Sequence, residues 1–267
     1  ELLVDYLGGV LLAVATTALV YWGDYVLNPG GPDLFTFALP IAGILALVQA
    51  GCREGARQAE SRAKPRDANI LLITLDTTRA DHLGCYQSGG PPKGAKTPRL
   101  DALAARGVRF NDATVQVPLT LPSHACIMTG TYPVVHGLRD MGGFALSAKT
   151  PTIATVARQA GFATAAFVGS VVLSKRMGLS HGFDVYDDDM GSRSESSQLP
   201  GTFPERRAAV TTDRALDWLR QNGGKRFLLW VHYFDPHSPY DPPQPYKAPY
   251  AKDLYSGEIA YMDEQVG

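Results

Sequence analysis

Cysteine is scarce in this chain: Cys52, Cys85 and Cys126 are the only three in 267 residues. So small and odd a count excludes a disulfide framework and leaves at least one thiol unpaired within the chain. None of the three stands in a Cys-x-x-Cys or Cys/His cluster, so the sequence gives no support to a zinc site. A surplus of one charge is lacking as well. With 25 Lys+Arg against 26 Asp+Glu the formal net charge is -1, and no basic run offers a track for a phosphate backbone. Nucleic acid is therefore not an expected partner. No internal repeat is present either. What remains is an ordinary folded composition, 45% hydrophobic and 19% charged, long enough for one large α/β domain or two small ones.

Two long, uncharged and strongly apolar runs stand in the first fifth of the chain. Tyr6–Gly23 and Leu34–Cys52 hold 18 and 19 residues without a charge, close to the ~20 that cross a bilayer as a helix. Tyr21, Trp22 and Tyr25 gather at one end of the first run, as interfacial aromatics do. Two such runs joined by a short Gly/Pro loop predict a membrane anchor over residues 1–52, in preference to a pair of buried helices. The first run also has the length of a signal-peptide core but lacks a basic flank, and Leu47–Cys52 is only a faint match to a lipoprotein cleavage box. Arg53, Arg57, Arg62, Lys64 and Arg66 follow the second run, whereas the loop between the runs has no Lys or Arg. On the positive-inside tendency that segment would lie in the cytoplasm. Residues 53–68, charged and Ala-rich, read as a linker.

Beyond residue 68 the pattern changes. Asn69–Leu75 is a short apolar, β-branched run of the kind that forms a strand covered on both faces. Thr97–Gly107 reads as a helix, with Thr97 as cap, Pro98 at its first position and Gly107 closing it. The same device recurs at Thr150-Pro151 through Gly161, ahead of the apolar run Ala163–Val168. Another helix, Glu205–Asn222, ends at Gly223-Gly224 and feeds the strand Phe227–Val231. Residues 191–204, rich in Ser, Gly and Pro, read as a loop insertion, and Glu258–Gly267 reads as a helix still running where the sequence stops. With Glu1 in place of an initiator Met, the chain reads as part of a longer protein. Strands alternating with helices predict an α/β fold, a mostly parallel sheet with helices on both faces, whose ligands gather at the carboxyl ends of the strands.

Two places carry chemistry. Asp76 follows the first strand directly, where such a sheet places its site; a lone Asp there is most often a turn former. The sharper signal is Val117–Gly137. Pro122 and Ser123 open a helix whose apolar face includes Ala125, Met128 and Thr129, which puts Thr120 at or just before the helix N-terminus. Backbone N–H groups and the positive end of the helix dipole favour an anion there, sulfate or phosphate. A hydroxyl held beside a divalent cation at that point can ionise and attack it. On spacing alone, a capping threonine with a structural histidine nearby explains the pattern as well.

The segment Thr120-Leu121-Pro122-Ser123-His124, with Thr129-Gly130, Pro133 and His136-Gly137 in register, resembles the sulfatase signature Cys/Ser-x-Pro-Ser-Arg. Thr120 stands at the nucleophile position and His124 at the arginine position. Asn69–Tyr86 and Thr97–Phe110 resemble the family's first metal strand and the helix after it, while Gly182-Phe183-Asp184 and Asp235–Tyr240 match later landmarks. The resemblance covers roughly residues 69–267 and implies an alkaline-phosphatase-like fold.

It further implies Thr120 as nucleophile and Asp76 with Thr120 as ligands of one divalent cation, Ca²⁺, Mg²⁺ or Mn²⁺. His124 and His237 are then catalytic candidates, and Arg79 and His136 candidate contacts to substrate. Taken alone, His237 is equally a loop histidine, His136 reads as ordering its own turn, and Arg79 as half of a surface ion pair. The implied partners are a sulfated or phosphorylated small molecule, glycan or lipid head group, and the membrane. Threonine cannot be oxidised to the formylglycine of sulfatases, Asp76-Thr77 stands where sulfatases often pair two aspartates, and the family's lysine/histidine segment is replaced near Val168–Leu173. These departures resemble the phospho-branch of the superfamily, phosphoethanolamine and phosphoglycerol transferases, and admit a non-catalytic anion binder. Anchored relatives work outside the cytoplasmic membrane, against the charge count above. The family's downstream Ser-Asp-His-Gly does not occur before Gly267, so the chain is expected to hold half a metal site and to be inactive alone.

Overall fold

The computed structural model describes residues 68–87, 94–191 and 204–267, all within one compact unit, Asp67–Gly267. The two apolar runs and nearly all of the linker lie outside the described residues. No helix among the described residues is long and apolar enough to cross a membrane.

Four strands form one parallel sheet: β1 (Ile70–Leu75), β2 (Ala163–Val168), β3 (Val185–Asp187) and β4 (Phe227–Tyr233), in the order β1-β4-β2-β3. The two-residue period of a strand sorts its side chains between two cores. On one face Ala166 and Val168 of β2 join Leu228 and Trp230 of β4, packed with Leu121, Ala125 and Met128. On the other, Ala165 and Phe167 join Leu229, Val231 and Tyr233, packed with Ala208, Ala215, Ile259 and Met262. The helices behind these contacts are α1 (Pro98–Arg106), α2 (Thr120–Thr129), α3 (Pro133–His136), α4 (Ile153–Gln159), α5 (Ala208–Asn222) and α6 (Leu254–Val266). The expected helix–sheet–helix layering is what the chain builds.

Some boundaries differ from the sequence reading, each for a physical reason. β1 was expected to be covered on both faces, yet Leu71 is 54% exposed: among the described strands β1 pairs only with β4 and lies at the edge. Helix α4 starts after Thr152, not at Thr150-Pro151. Thr152 Oγ1 accepts from the Thr155 amide at 3.1 Å while the Thr152 amide donates to Thr155 Oγ1 at 2.9 Å, a reciprocal cap. Helix α5 starts at Ala208 in place of Glu205. Residues 205–206 are held extended, Glu205 bridged to Ser170 and the Arg206 amide donating to Gly169 O. Asp235, just past β4, caps α5 from a distance by accepting from the Ala208 amide at 2.8 Å.

Candidate active site

The carboxyl ends of β1 and β4 lie side by side, Leu75 opposite Tyr233. Asp76 is the next residue out, its amide bonded to Tyr233 O at 3.0 Å. The chain then turns sharply: Thr77 has φ +48°, a left-handed conformation that a β-branched residue seldom adopts. Thr77 is fixed there by its amide on Asp76 Oδ1 (2.9 Å), its hydroxyl on Pro236 O and its carbonyl accepting from Tyr255 Oη (2.6 Å). Backbone strain of this kind concentrates at functional sites.

Helix α2 delivers the second component. Thr120 is its first residue, with Leu119 in extended conformation before it and Gly130, at φ +65°, after it. Leu121, Ala125 and Met128 are buried against the sheet, which fixes the helix axis and brings its N-terminus to Asp76. Thr120 Oγ1 lies 3.3 Å from Asp76 Oδ2, although 44 residues separate them in the chain. One turn on, His124 sets its Nδ1 2.7 Å from Thr120 O, so it braces the backbone of that residue.

The sequence reading missed His232. It is the penultimate residue of β4, wholly buried, with Nε2 3.6 Å from Asp76 Oδ2. Its ring meets that of His124 edge-on at 4.9 Å between centroids. Neither of its ring nitrogens has a hydrogen-bond partner within the protein, and neither does His124 Nε2. A polar side chain at the carboxyl end of an otherwise apolar strand was the available signal, but the strand was expected to end at Val231.

These neighbours set the charge of the site. Burial works against ionisation of Asp76, yet the imidazole of His232, helped by His124 and His237, holds its carboxyl below the ordinary range. Burial, and then the charge of His232, depress His124 to about 4. At neutral pH His124 is therefore uncharged, unlike an arginine in its place. The ionised Asp76 oxygen and the Thr120 hydroxyl, 3.3 Å apart, suit two adjacent positions around one hard divalent cation. Among the described residues no group of three or more His, Cys, Asp or Glu is arranged to hold a metal ion.

The other candidates take different places. His237 sits on the loop after β4, partly exposed, stacked on Phe234 at 4.2 Å with Nδ1 2.8 Å from Ser238 O. His136 is buried on α3, its Nδ1 accepting from the Leu138 amide at 3.2 Å and its Nε2 3.4 Å from Cys126 Sγ. Those bonds point it into the protein and order the turn around Gly137. Arg79 is exposed, in a bidentate pair with Asp81. The acidic run Asp187–Asp189 is neutralised by Arg206, Arg214 and Lys175.

Comparison with known proteins fits this geometry. The chain is 27% identical over 212 residues to the N-acetylglucosamine-6-O-sulfatase of Bacteroides thetaiotaomicron, an alignment covering 76% of this chain and 35% of that protein. Among solved structures it superposes on BT4656 in complex with D-glucosamine-2-N,6-O-disulfate, with a TM-score of 0.56, 23% identity and coverage of 69% of this chain and 38% of the other. A phosphonate monoester hydrolase of Agrobacterium radiobacter gives a TM-score of 0.57 at 20% identity, covering 74% and 57%. The chain thus spans about a third to somewhat over half the length of these relatives. The sequence profile of the Sulfatase family matches residues 68–267, and by that match the chain belongs to the sulfatase family.

Proposed function

We propose that the intact protein is a metal-dependent hydrolase or transferase of sulfate or phosphate esters, with Thr120 as nucleophile. The observation that carries this is the 3.3 Å approach of Thr120 Oγ1 to Asp76 Oδ2 at the N-terminus of α2. Asp76 and Thr120 would hold a divalent cation, which would supply positive charge to lower the pKa of the threonine hydroxyl. Asp76 orients that hydroxyl, and the amides of Thr120 and Leu121 are left at the helix start for the anion to be attacked, since Pro122 has no N–H and the Ser123 amide donates to Leu119 O. The Thr120 oxygen, its proton given up to solvent, bonds to sulfur or phosphorus as the ester oxygen leaves with its electron pair and takes a proton from water. Attack of water, or of an acceptor alcohol in transfer, then breaks the bond to Thr120 and restores its hydroxyl. In this reading His237, partly exposed on the neighbouring loop, contacts the substrate, whereas Arg79 pairs with Asp81 and His136 bonds to Cys126 and the Leu138 amide instead.

Within this reading phosphoryl chemistry is favoured over sulfuryl chemistry. Thr120 replaces an oxidisable Cys or Ser, and the neutral His124 replaces a cationic arginine. The relatives' names, a sugar 6-O-sulfatase among them, point to an anionic ester on a sugar as the substrate class. Assays of the intact protein with aryl sulfate and aryl phosphate esters decide between the two chemistries. Thr120→Ala is expected to lower kcat at least ~10³-fold and a chelator to abolish turnover reversibly. Turnover that survives Thr120→Ala would remove the proposed nucleophile.

The apolar runs Tyr6–Gly23 and Leu34–Cys52 further support a membrane-held enzyme. The resemblance to anchored relatives, against the charge count of residues 53–66, supports a catalytic unit on the periplasmic or outer side. Recovery of the intact protein in the membrane fraction, with the catalytic unit open to protease added from outside, is expected. Protection of that unit would reverse the assigned side.

A further inference from the structure

The loop that carries His237 runs from Asp235 to Asp241, and both of its ends reach one buried charge cluster. At its start Asp235, 6% exposed, accepts from the Ala208 amide and pairs with Arg207, Nη1 to Oδ1 at 3.2 Å. At its end the Asp241 amide donates to Glu258 Oε1 at 2.7 Å, and the Asp241 carboxylate lies 3.7 Å from Arg207 Nη2. Arg207 also reaches Glu258 Oε1 at 3.5 Å. One guanidinium from the N-cap of α5 and one carboxyl from α6 therefore fasten the loop at both ends.

Glu258 is 2% exposed, and its Oε2 has no partner within the protein. The charged groups facing it are the carboxylates of Asp235 and Glu205 and the Arg207 guanidinium. Asp241 adds a further carboxylate at the loop end and is paired from outside by Lys247 at 2.6 Å. Carboxylates outnumber the cations in this cluster, a balance that favours a neutral Glu258. In keeping with that, burial and then the charge of Asp235 push its carboxyl up to about 8.

We propose that Arg207 and Glu258 are positioning residues that clamp the 235–241 loop at both ends and so hold the His237 imidazole at the mouth of the site. The consequence for turnover rests on the reading of His237 as a substrate contact; the clamp itself does not.

Hydrogen–deuterium exchange of the 235–241 segment in the intact protein tests it, with variants compared at matched pH so that the intrinsic rate cancels. Glu258→Ala is expected to raise exchange about tenfold and, in ester hydrolysis, to raise KM with kcat little changed. Glu258→Gln, which keeps the carbonyl acceptor without the charge, is expected to restore protection at pH 7. Arg207→Gln, at a side chain one-third exposed, gives the second test should Glu258→Ala fold poorly. Wild-type exchange in both Glu258→Ala and Arg207→Gln, or a Glu258→Gln variant as open as Glu258→Ala, would overturn the clamp. An exchange response as predicted, in a protein that turns over neither ester, would sustain the clamp and count against the enzyme reading instead.

Discussion

At Thr120 and Asp76 the chain joins a hydroxyl and a carboxylate across 44 residues, and two histidines beneath them decide what that pair can do. The places of Asp76 and Thr120 were legible because each follows from a local rule, a strand end and a helix start, whereas their proposed roles rest on the resemblance. His232 was not legible, since its significance comes from the neighbour it meets in space. His124 gives a pH prediction. Its folded-state pKa of about 4 lies below the ordinary 6.5, so from pH 6.5 downward the unfolded chain takes up a proton that the folded chain refuses. The contribution is in full force above pH 6.5 and is lost as pH falls towards 4, on the order of 3 kcal/mol in all. His124→Asn, which keeps a donor towards Thr120 O, is expected to flatten this acid limb in urea titrations from pH 7 to pH 4. An unchanged limb would assign it to other groups.

Among the elements, β1, β2, most of β4 and the Pro-initiated helix α1 were legible because apolar runs and the Thr-Pro and Gly signals are local, whereas the three-residue β3, which has no apolar run, was not. The starts of α4 and α5 were not, since a reciprocal pair of threonines sets one and a distant aspartate the other. The junction of α4 with the turn before β3 rests on a glycine. Gly182 has φ +94°, and a Cβ there would lie 2.3 Å from the Thr155 amide nitrogen. The collision is with backbone in the first turn of a helix, which has no rotamer to yield. Gly182→Ala is expected to destabilise the unit by about 3 kcal/mol, read as a lower urea midpoint at unchanged slope. A loss below about 1 kcal/mol would show that α4 can shift on the sheet.

For the molecule as a whole, layering and strand direction followed from the alternation of strand and helix, whereas strand order was not legible, because it depends on which apolar edges meet. That order has a consequence for biosynthesis. Ile70 pairs with Leu228, so 158 residues separate the two partners, and among the described strands β1 has no other. At ~5–20 residues per second, a ribosome needs roughly 8–30 s to make the intervening chain. Once residue 120 has been added, the nascent polypeptide contains Asp76 and Thr120, yet it lacks the strand that seats the first and carries His232. The apolar segment Ile70–Leu75 meanwhile waits unpaired, a natural client for a chaperone at the tunnel exit.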